Sequence, residues 1–185
     1  MNLDIPHVCP TEISLILNNR IRRLLQNPQK ILAPYVRDGM DVLEVGCGPG
    51  FFTLDIARMV GKSGRVVAVD LQEGMLAKVR ENIRRSGAGQ NIVLHRCDED
   101  RIGVSGNFDF VFLFYMVHEV VDKEAFFREL ESLLKKDGQV YIAEPPLHVS
   151  KKAFEETIRI AGDTGFMVVD RPKRFPDKIV VLKKA

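Results

Sequence analysis

Tryptophan is absent from the sequence, cysteine occurs only three times in 185 residues, and no apolar run approaches the length of a membrane span. Each shortage excludes something. Cys9, Cys47 and Cys97 are widely separated, odd in number and without a C-x-x-C pair, so neither a disulfide framework nor a zinc knuckle is expected. A reducing cytoplasm is the compartment this implies. The longest apolar stretch, Phe110 to Val117, is far shorter than the roughly 20 residues a bilayer demands. Asp4 and Pro6 stand where a leader would carry cations and then apolar residues, so the chain is expected to be soluble and unexported, with no membrane partner. Charge of one sign is missing too. Lys and Arg number 27 against 25 Asp and Glu, and a formal +2 gives no bulk electrostatic case for a nucleic-acid partner. Arg171, Lys173, Arg174 and Lys178 do cluster late in the chain, as a solvated loop or a contact for an anionic substrate.

What is present is ordinary globular material, 45% hydrophobic and 28% charged, in a length suited to one domain. The organising stretch is Val42-Leu43-Glu44-Val45-Gly46-Cys47-Gly48-Pro49-Gly50: a short apolar strand, then glycines at spacing two, with Phe51-Phe52-Thr53-Leu54 opening a helical pattern. Glycine serves where backbone takes positive φ or a ligand must come close. A helix that begins at such a turn aims free N–H groups at a negative group. The dinucleotide fingerprint G-x-G-x-x-G is not matched, because the sixth position falls on Phe51 or Thr53 according to frame. There is no lysine after the glycines to hold a phosphate, and no Tyr-x-x-x-Lys pair.

Strand and helix signals then alternate. Arg65-Val66-Val67-Ala68-Val69 is a β-branched strand ending at Asp70, 20 positions after Gly50, where a carboxylate can accept both ribose hydroxyls of a nucleoside or simply cap the next helix. Met75, Leu76, Val79 and Ile83 mark a helix closed by Gly87 and Gly89. Ile92–Arg96 is a third strand, followed by the acidic turn Cys97-Asp98-Glu99-Asp100. Phe110 to Phe114, continuously apolar, reads as a strand buried on both faces. Asp122 begins a helix with Phe126, Leu130, Leu133 and Leu134 inward and Lys135-Lys136-Asp137-Gly138 at its end. A fifth strand, Gln139–Ala143, closes on Glu144, and Ser150 caps a helix through Phe154, Ile158 and Ala161. Phe166–Val169 and Ile179–Leu182 form a final antiparallel hairpin. Ahead of all this, Ile13 to Leu25 recur at helical spacing, and a second short helix is expected from Gln29 to Val36. The domain reading is an N-terminal helical extension over 1–38 and a cofactor-binding domain over 39–185.

The segment Glu44-Val45-Gly46-Cys47-Gly48-Pro49-Gly50 resembles the first motif of class I S-adenosylmethionine-dependent methyltransferases, and the later signals fall in that family's order from Ile31 to about Tyr141. The resemblance implies a Rossmann-like α/β fold: a seven-stranded, mostly parallel sheet with one antiparallel strand and helices on both faces. It implies S-adenosyl-L-methionine as cofactor. Gly46, Cys47, Gly48, Gly50 and Phe51 would line the amino-acid tail and ribose, with Glu44 organising the ammonium. Asp70 and Leu71 would meet the ribose and ring, Asp98 or its neighbour Glu99 the adenine amine, and Phe114 the ammonium through its carbonyl. The N-terminal helices would lie over the cofactor mouth.

Methyl transfer to a hydroxyl, thiol or protonated nitrogen needs a base. His118 is the first candidate, since it follows the fourth strand and titrates near neutral pH. Its other reading is a hydrogen-bonded structural histidine. Tyr115 is the second candidate, with Glu119, Glu144 and His148 on the same sheet edge. No Asn/Asp-Pro-Pro-Tyr/Phe stretch follows the fourth strand, so amino-methylating DNA enzymes of that type are not resembled. Short loops after the fifth strand and before the last strand leave little protein to build a deep acceptor pocket. A small-molecule acceptor would therefore be covered by the N-terminal helices or by the second subunit of a homodimer, or the site is open to a larger acceptor. No metal is expected; arsenite methylation is a remote alternative, because Cys47 lies inside the turn and the chain is short for that family's extra C-terminal part. Two alternatives stand beside the methyltransferase: a non-catalytic S-adenosylmethionine-binding module and an NAD-dependent oxidoreductase.

Overall fold

The structure is a computed structural model, and residues 26–185 are described. The helix expected over Thr11 to Leu25, and with it the lid role of the N-terminal extension, lies outside the described residues. From Pro28 the order is α1 (Pro28–Leu32), β1 (Asp41–Val45), α2 (Thr53–Val60), β2 (Arg65–Asp70), α3 (Glu73–Ser86), β3 (Ile92–Arg96) and β4 (Phe108–Phe114). A 3₁₀ turn (Val117–Glu119), α4 (Lys123–Leu133), β5 (Leu134–Glu144), α5 (Lys151–Asp163), β6 (Phe166–Asp170) and β7 (Lys178–Lys184) complete it.

The strands form one sheet in the order β3-β2-β1-β4-β5-β7-β6. All pairings are parallel except those of β7, which runs antiparallel to both β5 and β6. The expected sheet, with its single reversed strand, is therefore present. Period-two geometry sorts each strand between two cores. Leu43, Val45, Val111, Leu113, Val140 and Ile142 face α4 and α5 through Phe127, Leu130, Phe154 and Ile158. Val42, Val66, Phe110, Phe112 and Val181 face α1 and α2 through Leu32, Phe52 and Ile56. Ala68 packs under α3 through Leu76 and Val79. The central strand β4 is buried on both faces, which is why its sequence shows no alternation.

Three boundaries differ from expectation. α1 stops at Leu32, not Val36, because Pro34 cannot continue the helix; Arg37 instead donates to the Ala33 and Pro34 carbonyls at 2.9 and 3.2 Å. α2 opens at Thr53, with Phe51 and Phe52 still in the turn. α4 ends at Leu133, and Lys135-Lys136-Asp137-Gly138 belongs to β5. Leu134 leaves the helix with extended φ −89° and ψ 135°. It pairs with Phe108 at the sheet end, and register resumes only at Phe110 with Gln139. Two apolar side chains that can be buried together outweigh one more helical turn for Leu134. Lys135 reaches back to Asp109 Oδ2 at 2.7 Å, the oxygen that also accepts the Asp41 N–H at 2.8 Å.

Candidate active site

The carboxyl ends of β1, β2, β4 and β5 open on one edge of the sheet, where strand order reverses between β1 and β4, the place such folds hold ligands. The glycine turn leaves β1 there. Gly46 and Cys47 donate their N–H groups to Val69 O at 2.8 and 3.0 Å, tying the turn to the end of β2. Gly48 donates to Asp70 Oδ2 at 2.8 Å, and Gln72 donates to Asp70 Oδ1 at 2.9 Å. Asp70 is thus a buried carboxylate whose two oxygens are each aimed by one backbone N–H, and each keeps a lone pair for a ligand. Burial pushes its carboxyl up, and the two N–H bonds pull it back.

The three glycines do different work. Gly46 has φ +72°, and a Cβ there would lie 2.8 Å from Met116 Cβ. Gly50, at φ +84°, allows Val79 of α3 to approach; a Cβ would meet it at 3.1 Å. Close helix packing, the task of the third glycine in the dinucleotide fingerprint, therefore falls on Gly50 two residues after Gly48. Gly48, at φ +54°, has nothing within 4 Å of an added Cβ, so its outer side is the open face of the turn. Asn82 holds the far limb through Pro49 O at 3.0 Å.

Glu44 lies below this turn at 3% exposure and accepts the Thr53 hydroxyl at 2.6 Å. Burial pushes its carboxyl up to about 8, the Thr53 bond opposes that, and the Asp70 and Asp55 charges add to it. Thr53, at the first position of α2, was not singled out in the sequence. Cys47 is buried with its thiol pushed up by burial, and Sγ lies 3.6 Å from Gly48 O. Phe51 departs from its expected role, because its ring is 2% exposed and packs edge-on against Phe52 at 4.9 Å. Its side chain is core, which leaves only its backbone near the turn.

Beyond β3, Cys97 N–H donates to Asp70 O at 3.2 Å, which brings Asp98 and Glu99, both exposed, alongside the turn. That loop is anchored by Glu129, which accepts the Ile102 and Gly103 N–H groups at 2.9 and 2.8 Å. Leu71 is half-buried, and its carbonyl accepts Arg96 Nε at 3.3 Å.

On the β4 side, Phe114 is buried and Tyr115 takes φ +61°, the one non-glycine residue at positive φ among the described residues. The Tyr115 hydroxyl donates to Asp177 and accepts from the Gln26 amide at 2.8 Å. Asp177 also holds Arg174 at 2.6 Å, whose guanidinium lies 5.6 Å from the Phe114 ring centroid. Three of the four late basic residues are tied down: Arg171 pairs with Glu155, Arg174 with Asp177, and Lys178 donates to Pro146 O at 3.2 Å. Met116 packs on Gly46, so the segment leading to His118 crosses the edge of the turn. His118 meets Glu144, the last residue of β5, through its backbone N–H at 2.9 Å and Nδ1 at 2.6 Å. That hydrogen bond raises the His118 pKa above its ordinary value, against burial.

A seat with a buried ribose-type acceptor, an open glycine face and no phosphate-binding lysine fits a nucleoside carrying an amino-acid tail. The methyltransferase domain family model matches residues 36–174. The chain belongs to the methyltransferase domain family. The solved S-adenosylmethionine-dependent methyltransferase of Aquifex aeolicus is 26% identical, with a TM-score of 0.85, over 95% of this chain and 98% of that one. The ubiquinone/menaquinone biosynthesis C-methyltransferase of Cellvibrio japonicus is 30% identical over 76% of this chain and 58% of its own length. That of Cronobacter sakazakii is 30% identical over 74% and 53%. The chain thus spans a little over half the length of these two curated relatives. This methyltransferase is S-adenosylmethionine-dependent and of class I. Among its described residues no helix is long and apolar enough to cross a membrane.

Proposed function

We propose that this methyltransferase transfers a methyl group to a small-molecule acceptor, with Asp70 holding the ribose hydroxyls of the donor. The observation that carries the donor site is the pair of hydrogen bonds aiming both Asp70 oxygens, one from the glycine turn itself. S-adenosylmethionine supplies a methyl group already activated by its sulfonium charge. The protein's own work is then alignment and exclusion of water.

Gly48 lets the backbone meet the donor's tail, and Glu44, steadied by Thr53, answers the ammonium from below. Asp98, with Glu99 beside it, takes the adenine amine, while Leu71 and the Phe114 backbone complete the cradle. His118 is the residue that takes a proton from the acceptor. Tyr115 is engaged by Asp177 and Gln26, and shapes the acceptor side instead. The small-molecule class is supported by the curated relatives, whose names give a role in ubiquinone and menaquinone biosynthesis.

The test is transfer of tritium from methyl-labelled S-adenosylmethionine into a cell extract, followed by separation of small molecules from protein and nucleic acid. Label in the small-molecule fraction, lost with Asp70→Asn, is expected. Label confined to protein or RNA would contradict the acceptor class.

A further inference from the structure

Glu144 is 2% exposed at the end of β5 and spends both its oxygens on one residue. Oε1 accepts the His118 backbone N–H at 2.9 Å, and Oε2 lies 2.6 Å from Nδ1. One carboxylate therefore fixes the 3₁₀ turn and the ring that the turn carries. With Nδ1 committed to Glu144, Nε2 is the ring nitrogen left for a ligand, on a side chain 27% exposed. The ring of His148 lies nearly parallel at 6.4 Å, on the loop after β5. Met116, two residues before His118, is the residue packed on Gly46, so this pair stands beside the turn that receives the donor.

Given the methyl-donor reading of the turn, on which this rests, we propose that His118 and Glu144 form a base and its positioning partner, selecting acceptors that carry an ionisable hydroxyl of the phenol or enol kind. Glu144 holds the imidazole in the Nδ1–H tautomer, so that Nε2 presents a lone pair. The acceptor's O–H bond breaks, its proton passes to Nε2, and its electron pair stays on the acceptor to form the new bond to the methyl carbon, at oxygen or at a conjugated ring carbon. The donor's sulfur keeps the pair from the broken S–CH₃ bond. A neutral amine is already nucleophilic and a thiol ionises near pH 8.5, whereas a phenol ionises near 10 and needs a base at neutral pH. The Glu144 bond is the largest influence on the imidazole and raises its pKa, with Glu144 and Glu119 charges adding and burial and Lys123 opposing. A stronger base is the better match to a phenol.

The experiment has two arms. The first is a ¹⁵N NMR titration of the His118 imidazole in the full chain and in Glu144→Gln. The neutral ring should carry its proton on Nδ1, and the pKa should fall in the variant while the backbone spectrum is kept. A neutral ring protonated on Nε2, or an unchanged pKa, overturns the pair. The second arm offers labelled S-adenosylmethionine with catechol, 1,4-naphthohydroquinone or aniline, an amine that is neutral at pH 7. Transfer to a hydroxyl compound and not to aniline is expected. His118→Asn should then lower kcat by about 10²-fold or more. Glu144→Gln should lower it with little change in donor KM, and its rising pH limb should move to lower pH. Transfer to aniline, or to neither hydroxyl compound, overturns the acceptor class. Failure of the donor to bind in calorimetry would instead overturn the reading of the turn.

Discussion

Asp70→Asn is the substitution with the most to say. The carboxylate is 7% exposed and already accepts Gly48 N–H and Gln72 N–H at 2.8 and 2.9 Å. Two ribose hydroxyls on its remaining lone pairs are hydrogen bonds to a charged group, worth about 1.5–3 kcal/mol each. Replacing the carboxylate by a neutral amide removes one acceptor oxygen and weakens the other, so a loss of about 3–5 kcal/mol is expected, or about 10²–10⁴-fold in affinity. The amide also turns an NH₂ toward one of the two backbone donors. That leaves a buried N–H unmatched, at about 1–3 kcal/mol of stability and a few degrees of Tm. Calorimetry with S-adenosylhomocysteine, well below both melting temperatures, separates the two effects. The control is Asp98→Asn, an exposed site, where about 1 kcal/mol or about fivefold is expected. An Asp70→Asn affinity within about threefold of wild type would refute the ribose contact.

Other consequences follow from the same geometry. Gly46→Ala should cost stability, because φ +72° and a 2.8 Å approach to Met116 both oppose a Cβ; scanning calorimetry should show a Tm several degrees lower. Gly48→Ala meets no neighbour within 4 Å, so it should melt closer to wild type yet bind S-adenosylhomocysteine more weakly; equal affinity would move the ligand off this face. Glu44 is an acid whose folded pKa is raised to about 8, so its contribution to stability is present below its unfolded value near 4.5 and lost as pH rises through 8. Glu44→Gln should flatten urea-melt stability across that window. His118 is a base with a raised folded pKa, so its contribution is complete below 6.5 and lost as pH climbs past the folded value; His118→Asn should remove that loss.

The meeting of the glycine turn with Asp70 was legible in the sequence because both sit at the ends of neighbouring strands. Gly48 and Asp70 are 22 residues apart, yet β1 and β2 pair in parallel register, Val45 opposite Val69, and that alone brings them together. Phe110 to Phe114 announced a twice-buried central strand for a similar reason. What could not be read depends on side-chain direction or on distant partners. Phe51 looked like part of the turn, but its ring finds Phe52 and the core. Tyr115 and Asp177 are 62 positions apart, joined only because the β6–β7 connection returns to the ligand edge. Glu144 and His118 were both noted separately; their pairing required the β4–β5 register. The helix end near Gly138 was misplaced because the lysines and glycine give a strong stop signal, while the pairing of Leu134 with Phe108 is invisible to local pattern.

The most direct test of the account is a crystal structure of the protein with S-adenosylhomocysteine. Both ribose hydroxyls should lie within hydrogen-bond distance of the Asp70 carboxylate, with the amino-acid tail along Gly48. A nucleoside bound elsewhere, or a ribose held by other residues with Asp70 turned away, would contradict it.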